Sequence, residues 1–361
     1  MTEDLPILAW VSHNPMGAGG FQNVTRNLLR RLGGWEKHVI ALEDGNIMLP
    51  YEYDGYTIHE TSTVCGIRHH LANISPDVVI VYGSFWHINQ YLEAARHGNF
   101  NQSLYFVVEG SPIPKKHYEE LAQFEMIMTP CIAAAQSVVD VGFDAYLLHH
   151  GVDHNVFNPG PNTSDIFTYG TVKVNNFKAQ LGRLISAYSQ IANDQESLLL
   201  VHSNPLDKRG APLKDMAETY GVADKIRFSQ QSMCGVPLSD YKMVQMYRSL
   251  NVYVSASGGD TVNLPALEAS ACGVPVITTD VPGPSEYLLD SATYVPSIET
   301  YPSGFGRVHL ANEKLMADAM HEYYVNEDLR IEKSKEAVEV TKKWTWERAT
   351  AELSNNLGKL I

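Results

Sequence analysis

No apolar run in this sequence approaches the roughly 20 residues needed to cross a bilayer. The opening Met-Thr-Glu-Asp-Leu-Pro also lacks the basic stretch and apolar core of an export signal. A cytoplasmic protein is the expectation. Cysteine is scarce: the 361 residues hold four, Cys65, Cys131, Cys234 and Cys272, none in a Cys-x-x-Cys pair, which argues against a zinc site and against a disulfide framework. Positive charge is short as well. Lys and Arg number 27 against 41 Asp and Glu, for a formal net charge of −14. A chain of that sign lacks the broad basic surface with which general nucleic-acid binders displace counterions from phosphate. Peripheral attachment at an inner membrane face would need a basic amphipathic helix, and Thr25 to Leu32, with Arg26, Arg30 and Arg31, is the candidate segment. Apolar residues are ample, at 44%. Since 361 residues exceed the size at which a single core stops growing, two domains are expected.

The pattern along the chain alternates strands and helices twice. Strands are expected at Ile7 to Val11, Val39 to Leu42, Val78 to Tyr82, Leu104 to Val108 and Met126 to Met128. Helices are expected at Phe21 to Leu32 and near Ile88 to Arg96, His117 to Gln123 and Ala133 to Val141. Such alternation implies an α/β domain with a parallel sheet covered on both faces. Glycine, prolines and small polar residues over 155–165 then read as a linker. Beyond it, strands at Tyr169 to Val174, Ser197 to Val201, Ile226 to Ser229 and Val252 to Val254 alternate with helices at Lys178 to Ile191, Pro212 to Tyr220 and Leu238 to Ser249. The expected domains are Rossmann-like: residues 1–157, then 158–344, followed by a helical tail over 345–361 with Trp344 and Trp346 as packing anchors. His149 and His150 are adjacent, but no third or fourth ligand stands at metal-binding spacing, so they read as structural.

The most telling stretch is Ser257-Gly-Gly-Asp-Thr-Val-Asn-Leu-Pro-Ala-Leu-Glu268, followed by Ala-Ser-Ala-Cys-Gly273-Val-Pro-Val-Ile-Thr-Thr-Asp280-Val-Pro-Gly-Pro-Ser-Glu286. Asn263 suits an N-cap, Pro265 is tolerated in a first helical turn, and Gly273 supplies a left-handed stop, so a helix is expected from Leu264 to Cys272. Val274 to Thr278, β-branched and apolar, reads as a buried strand. Helical side chains lean toward the N-terminus, which would bring Glu268 back toward the turn that Asp260 borders. The N–H groups and dipole of a helix start attract phosphate, and each carboxylate can accept hydrogen bonds from sugar hydroxyls. A pyrophosphate with a sugar on either side suits that layout.

The whole run resembles the signature of retaining GT-B glycosyltransferases of family 4. In these an acid, seven residues and a glutamate precede Ala-x-Ala-x-Gly-x-Pro-Val-Ile. This sequence departs from the pattern in having Asp260 for the first glutamate and Thr-Val-Asn for Gly-Phe-Gly. The resemblance implies two Rossmann-like domains facing a central cleft, with the C-terminal helix packing back on the first. It further implies that Glu268 binds the donor ribose, that Asp260 contacts the transferred sugar, and that Thr261, Val262, Asn263 and Leu264 place backbone amides near the diphosphate or sugar. Lys178, with Lys173 as a less close match, would offset charge on the departing diphosphate. Gly19 and Gly20, in a glycine-rich loop without the G-x-G-x-x-G spacing, would let backbone approach donor phosphates or acceptor. Glu109 and His87, at strand ends of the first sheet, would serve the acceptor side, Glu109 also as a catalytic candidate. The implied activity is transfer of a sugar from a nucleoside diphosphate to a hydroxyl on a glycan, lipid-linked sugar, small molecule or protein. No metal and no cofactor beyond that co-substrate are expected. A sugar-nucleotide epimerase, a phosphorylase or a non-catalytic sugar-binding protein are the alternatives.

Overall fold

A computed structural model describes residues 5–42, 49–95, 101–108, 110–229, 238–303 and 306–361. The chain divides into two compact units. One is Met1–Gly151 with Thr345–Ile361 and a short piece at Gly306; the other holds the remainder, from Val152 to Trp344. The first unit thus ends its long segment at Gly151, where the sequence reading carried it to 157, and it includes the C-terminal helix.

The first unit is built on an eight-stranded sheet: β1 (Ile7–Ser12), β2 (Glu36–Leu42), β3 (Tyr51–Tyr53), β4 (Tyr56–Thr61), β5 (Val78–Gly83), β6 (Asn101–Phe106), β7 (Met126–Thr129) and β8 (Ala145–Leu147). The order is β3-β4-β2-β1-β5-β6-β7-β8, parallel throughout except for the β3–β4 hairpin. β5 is buried at every position, as a Val/Ile-rich strand flanked by neighbours on both edges and helices on both faces must be. The hairpin turns on Asp54 (φ 48°) and Gly55 (φ 83°), an Asp-Gly pair suited to the left-handed conformation of a tight two-residue loop. Helices α1 (Gly20–Leu29), α2 (Val64–Ile74), α3 (Phe85–Ala95), α4 (Tyr118–Leu121) and α5 (Ile132–Val139) fill the crossovers. The C-terminal helix, Trp346–Leu357, joins them through Arg31 to Glu347 (2.8 Å), His149 to Glu352 (3.0 Å) and Asn356 Nδ2 to the Leu147 carbonyl (3.2 Å).

The second unit carries a six-stranded, fully parallel sheet. Its strands are β9 (Phe167–Val172), β10 (Ser197–His202), β11 (Ile226–Phe228), β12 (Val252–Ser255), β13 (Val276–Thr279) and β14 (Ala292–Val295), in the order β11-β10-β9-β12-β13-β14. Helices α6 (Leu181–Ser189), α7 (Leu213–Thr219), α8 (Asp240–Arg248), α9 (Leu264–Ala271), α10 (Pro282–Leu288), α11 (Glu313–Val325) and α12 (Glu327–Thr341) cover it. Tyrosines reach through this core with their hydroxyls satisfied: Tyr169 donates to the Met320 carbonyl (2.7 Å) and Tyr188 to that of Ser197 (2.9 Å). Arg248 binds the expected linker, Nη2 to Asn158 Oδ1 at 2.6 Å. Trp344 is buried, its indole donating to the Tyr287 carbonyl at 2.9 Å, and Trp346 is buried in the first unit.

Candidate functional site

In a doubly wound sheet, ligands collect at the carboxyl ends of the strands where the order reverses. In the second sheet that point lies between β9 and β12. Lys173 follows β9, and its Nζ lies 2.6 Å from Oδ2 of Asp260, which follows β12; both side chains are mostly buried. Burial pulls the Lys173 pKa below its ordinary value, the Asp260 carboxylate opposes that pull, and nearby Lys178 adds to it. Beneath the pair, Tyr253 donates to the Val172 carbonyl at 3.2 Å. Burial, then the Asp260 charge, raise its pKa far enough to keep the phenol protonated.

Lys178 is fixed through its backbone. The Asn176 side-chain oxygen accepts from the N–H groups of Lys178 (3.1 Å) and Ala179 (3.0 Å), and Gln180 turns the chain through a left-handed φ of 50°. Gln180 then bridges the His309 carbonyl (2.6 Å) and the Ala311 N–H (3.0 Å). The Lys178 carbonyl accepts from Gly258 N–H, and the Gly258 carbonyl from His309 N–H, both at 2.9 Å. A Cβ at Gly258 would stand 1.8 Å from the His309 oxygen, so glycine is what allows this close approach. Lys173, Lys178 and Asp260 are thereby brought together on interlocked loops.

α9 begins as the sequence indicates, with Asn263 as N-cap and Pro265 in the first turn, but Asn263 adopts a left-handed φ of 66°. Its amide compensates twice, accepting from Ala266 N–H (3.4 Å) and donating to Ser255 Oγ (3.1 Å). The helix ends in a Schellman arrangement, Gly273 N–H to the Ser270 carbonyl and Val274 N–H to that of Ala269, with Gly273 at φ 81°. Thr261, Val262 and Leu264 are buried in this turn. Glu268 is only 7% exposed, and its Oε2 accepts a 2.7 Å hydrogen bond from the Tyr247 hydroxyl. Gly283, in α10, passes so close that a Cβ would lie 2.3 Å from the Thr261 oxygen and 2.5 Å from that of Asp260. Tyr247, Gly258 and Gly283 are not singled out by spacing, since each matters through a partner distant in sequence.

In the first unit, Gly19 is the N-cap of α1 at φ 131° and Gly20 opens the helix. Arg26 reaches back from α1 to the carbonyls of Pro15 and Gly17, Arg30 bonds Asn27, and Arg31 pairs with Glu347, so the arginines of the membrane-helix candidate are engaged within the protein. His87 is buried, its ring packed edge-on to His13 at 4.6 Å and against Phe21 at 5.2 Å. Nδ1 accepts from Ser84 N–H (3.2 Å), and burial, with His13 adding to it, lowers the pKa to about 3. The ring is therefore neutral at physiological pH with its proton on Nε2. Glu109 lies outside the described residues, as do Cys234 and its neighbours over 230–237. His149 bonds Glu352 and His150 is buried, a packing role for the histidine pair. Among the described residues, no cluster of three or more His, Cys, Asp or Glu side chains is arranged to hold a metal, Cys65, Cys131 and Cys272 form no disulfide, and no helix is long and apolar enough to cross a membrane.

Residues 163–320, which carry this site, match the family described as glycosyl transferases group 1. Over those residues the chain is similar to the glycosyl transferases of group 1, and its fold is of the GT-B type. This GT-B chain is 27% identical over 227 residues to D-inositol 3-phosphate glycosyltransferase of Mycobacteroides abscessus, covering 60% of this chain and 46% of that protein. It thus spans less than half the length of the curated relatives it matches. Among solved structures, sucrose-phosphate synthase from Thermosynechococcus elongatus is 15% identical with a TM-score of 0.80, covering 98% of this chain and 99% of the other. Anabaena HepE in complex with UDP-glucose is 10% identical with a TM-score of 0.76, covering 98% and 99%. At such identities the likeness to solved structures concerns the fold, two Rossmann-like units of the GT-B type.

Proposed function

We propose that the protein transfers a sugar from a nucleoside diphosphate to an acceptor hydroxyl with retention at the anomeric carbon. The observation that carries this reading is the convergence of Lys173, Lys178 and Asp260 at the switch point of the second sheet, beside the start of α9. Cations and a carboxylate side by side suit a substrate with a diphosphate at one end of the bond to be broken and a hydroxylated ring at the other.

In this reading the bond from C1 of the sugar to the diphosphate oxygen breaks and a bond from C1 to the acceptor oxygen forms on the same face. The departing diphosphate takes the acceptor proton, so no protein nucleophile is needed. Lys178 and Lys173 stabilise the charge that accumulates on the diphosphate, which is where preorganised charge lowers the barrier most. Asp260 orients the sugar, and Glu268 accepts from the ribose. Lys173 starts bonded to Asp260 and would turn part of its charge to the diphosphate as donor enters. Retention rests on the resemblance of residues 257–286 to retaining enzymes. UDP-sugars are the first donors to try, because HepE was solved with UDP-glucose.

The test is release of nucleoside diphosphate from UDP-, GDP- and ADP-sugars with and without acceptor alcohols, with the anomeric configuration of the product read by NMR. Acceptor-dependent release with an unchanged anomer is expected. Release that ignores acceptor would remove the transferase reading, and an inverted product would remove retention alone.

A further inference from the structure

Tyr247 is fully buried on α8, with its ring edge-on to Phe157 at 6.1 Å and Tyr253 at 6.4 Å. Its hydroxyl is delivered to a single carboxylate oxygen, Oε2 of Glu268, at 2.7 Å. A phenol at the end of a ring clamped by other rings has little freedom, so it sets the direction of whatever it bonds. Glu268 has three rotatable side-chain torsions, and a fixed donor selects among their rotamers. The phenol also stays protonated: burial, then the Glu268 charge, hold its pKa well above the ordinary tyrosine value. It is therefore a permanent donor to Glu268.

We propose that Tyr247 is a positioning residue of the donor site, donating to Oε2 so that the remaining acceptor capacity of Glu268 is aimed at a ribose hydroxyl of the nucleotide. This rests on the donor-ribose reading of Glu268 given above. A carboxylate offers about four acceptor sites, so accepting from one tyrosine hydroxyl is compatible with accepting from a ribose hydroxyl as well. The role makes a demand that packing alone does not: the loss on removing the hydroxyl must depend on whether the nucleotide has its ribose hydroxyls.

The experiment measures Kd by calorimetry for UDP, GDP and ADP, and for the 2′-deoxy and 3′-deoxy forms of whichever the unaltered protein binds. A hydrogen bond to a charged acceptor implies that the unaltered protein prefers the ribonucleotide by about tenfold or more. Tyr247→Phe should cut that preference to about threefold or less by weakening the ribonucleotide, with affinity for the deoxy forms little changed. An equal loss for ribose and deoxyribose forms would mean that Tyr247 only packs, and would overturn the proposal. Glu268→Ala is the control that separates the two readings. If it leaves the ribose preference intact, or if none of the nucleotides binds, the donor-ribose reading fails and the inference falls with it. If it abolishes the preference while Tyr247→Phe does not, only the inference fails. As a second measurement, Tyr247→Phe in the Glu268→Ala background should change the ratio no further, whereas an additional fall would show that Tyr247 acts by another route.

Discussion

At the switch point of the first sheet, His13, Phe21 and His87 pack ring against ring, with centroids 4.6 to 5.6 Å apart. At the same topological position of the second sheet, Lys173 and Asp260 form an ion pair with Lys178 beside them. Two sheets of one construction plan thus end in opposite chemistry. The plan supplies a crevice, and the residues at the strand ends decide whether it is an aromatic surface or a charged one. The His87 imidazole does not soften this contrast, because burial suppresses its protonation. The pKa of His87 falls to about 3, that of His150 to about 3 and that of His59 to about 4, with burial the first cause in each.

The sharpest way to break the comparison is to discharge the second switch point. Lys178→Ala should lower acceptor-dependent diphosphate release by about 10²–10³, the usual loss for one preorganised donor to developing charge. A variant within about threefold of the original would take Lys178 out of the reaction.

The next effect separates the units by pH. In the unfolded chain the histidines titrate near 6.5. In the folded first unit His59, His87 and His150 resist protonation until about pH 4, 3 and 3, so the unfolded state binds protons first as pH falls. Their contribution to stability is complete above about pH 6.5 and is lost progressively toward pH 4 and below. In the second unit His202 is likewise shifted down. Hydrogen exchange at pH 7 and pH 5, corrected for intrinsic rates, should show β4 and β5 losing more protection than β9 and β12. Equal losses would contradict the assignment.

A smaller change sharpens how the charged site is held. Gly283→Ala places a methyl group against the carbonyls of Asp260 and Thr261, and overpacking of this kind costs about 1–3 kcal/mol. Urea denaturation should register that loss, together with weaker donor binding although no ligand-facing side chain has changed. The smallest effect is expected at Glu347→Ala. It takes a largely exposed carboxylate away from Arg31, which keeps its hydrogen bonds to Asn27, and should shift stability by no more than about 1 kcal/mol.

Much of the second unit was legible because its punctuation is local. Asn263, Pro265 and Gly273 bound α9 within a residue of the expected span, since caps and stops act over one turn. The Asp54-Gly55 pair carried an equally local hairpin signal that the reading passed over, along with helices α2, α11 and α12. Strand limits shifted by a few residues, as at β13, because the pairing partner decides where a strand begins. Pro275 already accepts from Tyr253 N–H ahead of it. The geometry of the site was less legible. Spacing brought Glu268 toward the helix start but could not indicate a buried phenol waiting for it, and location alone offered His87 as an acceptor ligand without revealing that its ring is enclosed.

What the sequence determined by itself is the kind of chain: alternating elements in two doubly wound halves, an acid-bearing loop that opens a capped helix, and lysines after a strand. Those properties depend on neighbours within a turn or two. Only the tertiary structure decided which group each acid meets, since Lys173 and Asp260 stand 87 positions apart and Tyr247 and Glu268 stand 21. The charge states of His59, His87 and His150 were decided there too. Desolvation is a property of everything packed around a side chain, and no short stretch of sequence contains it.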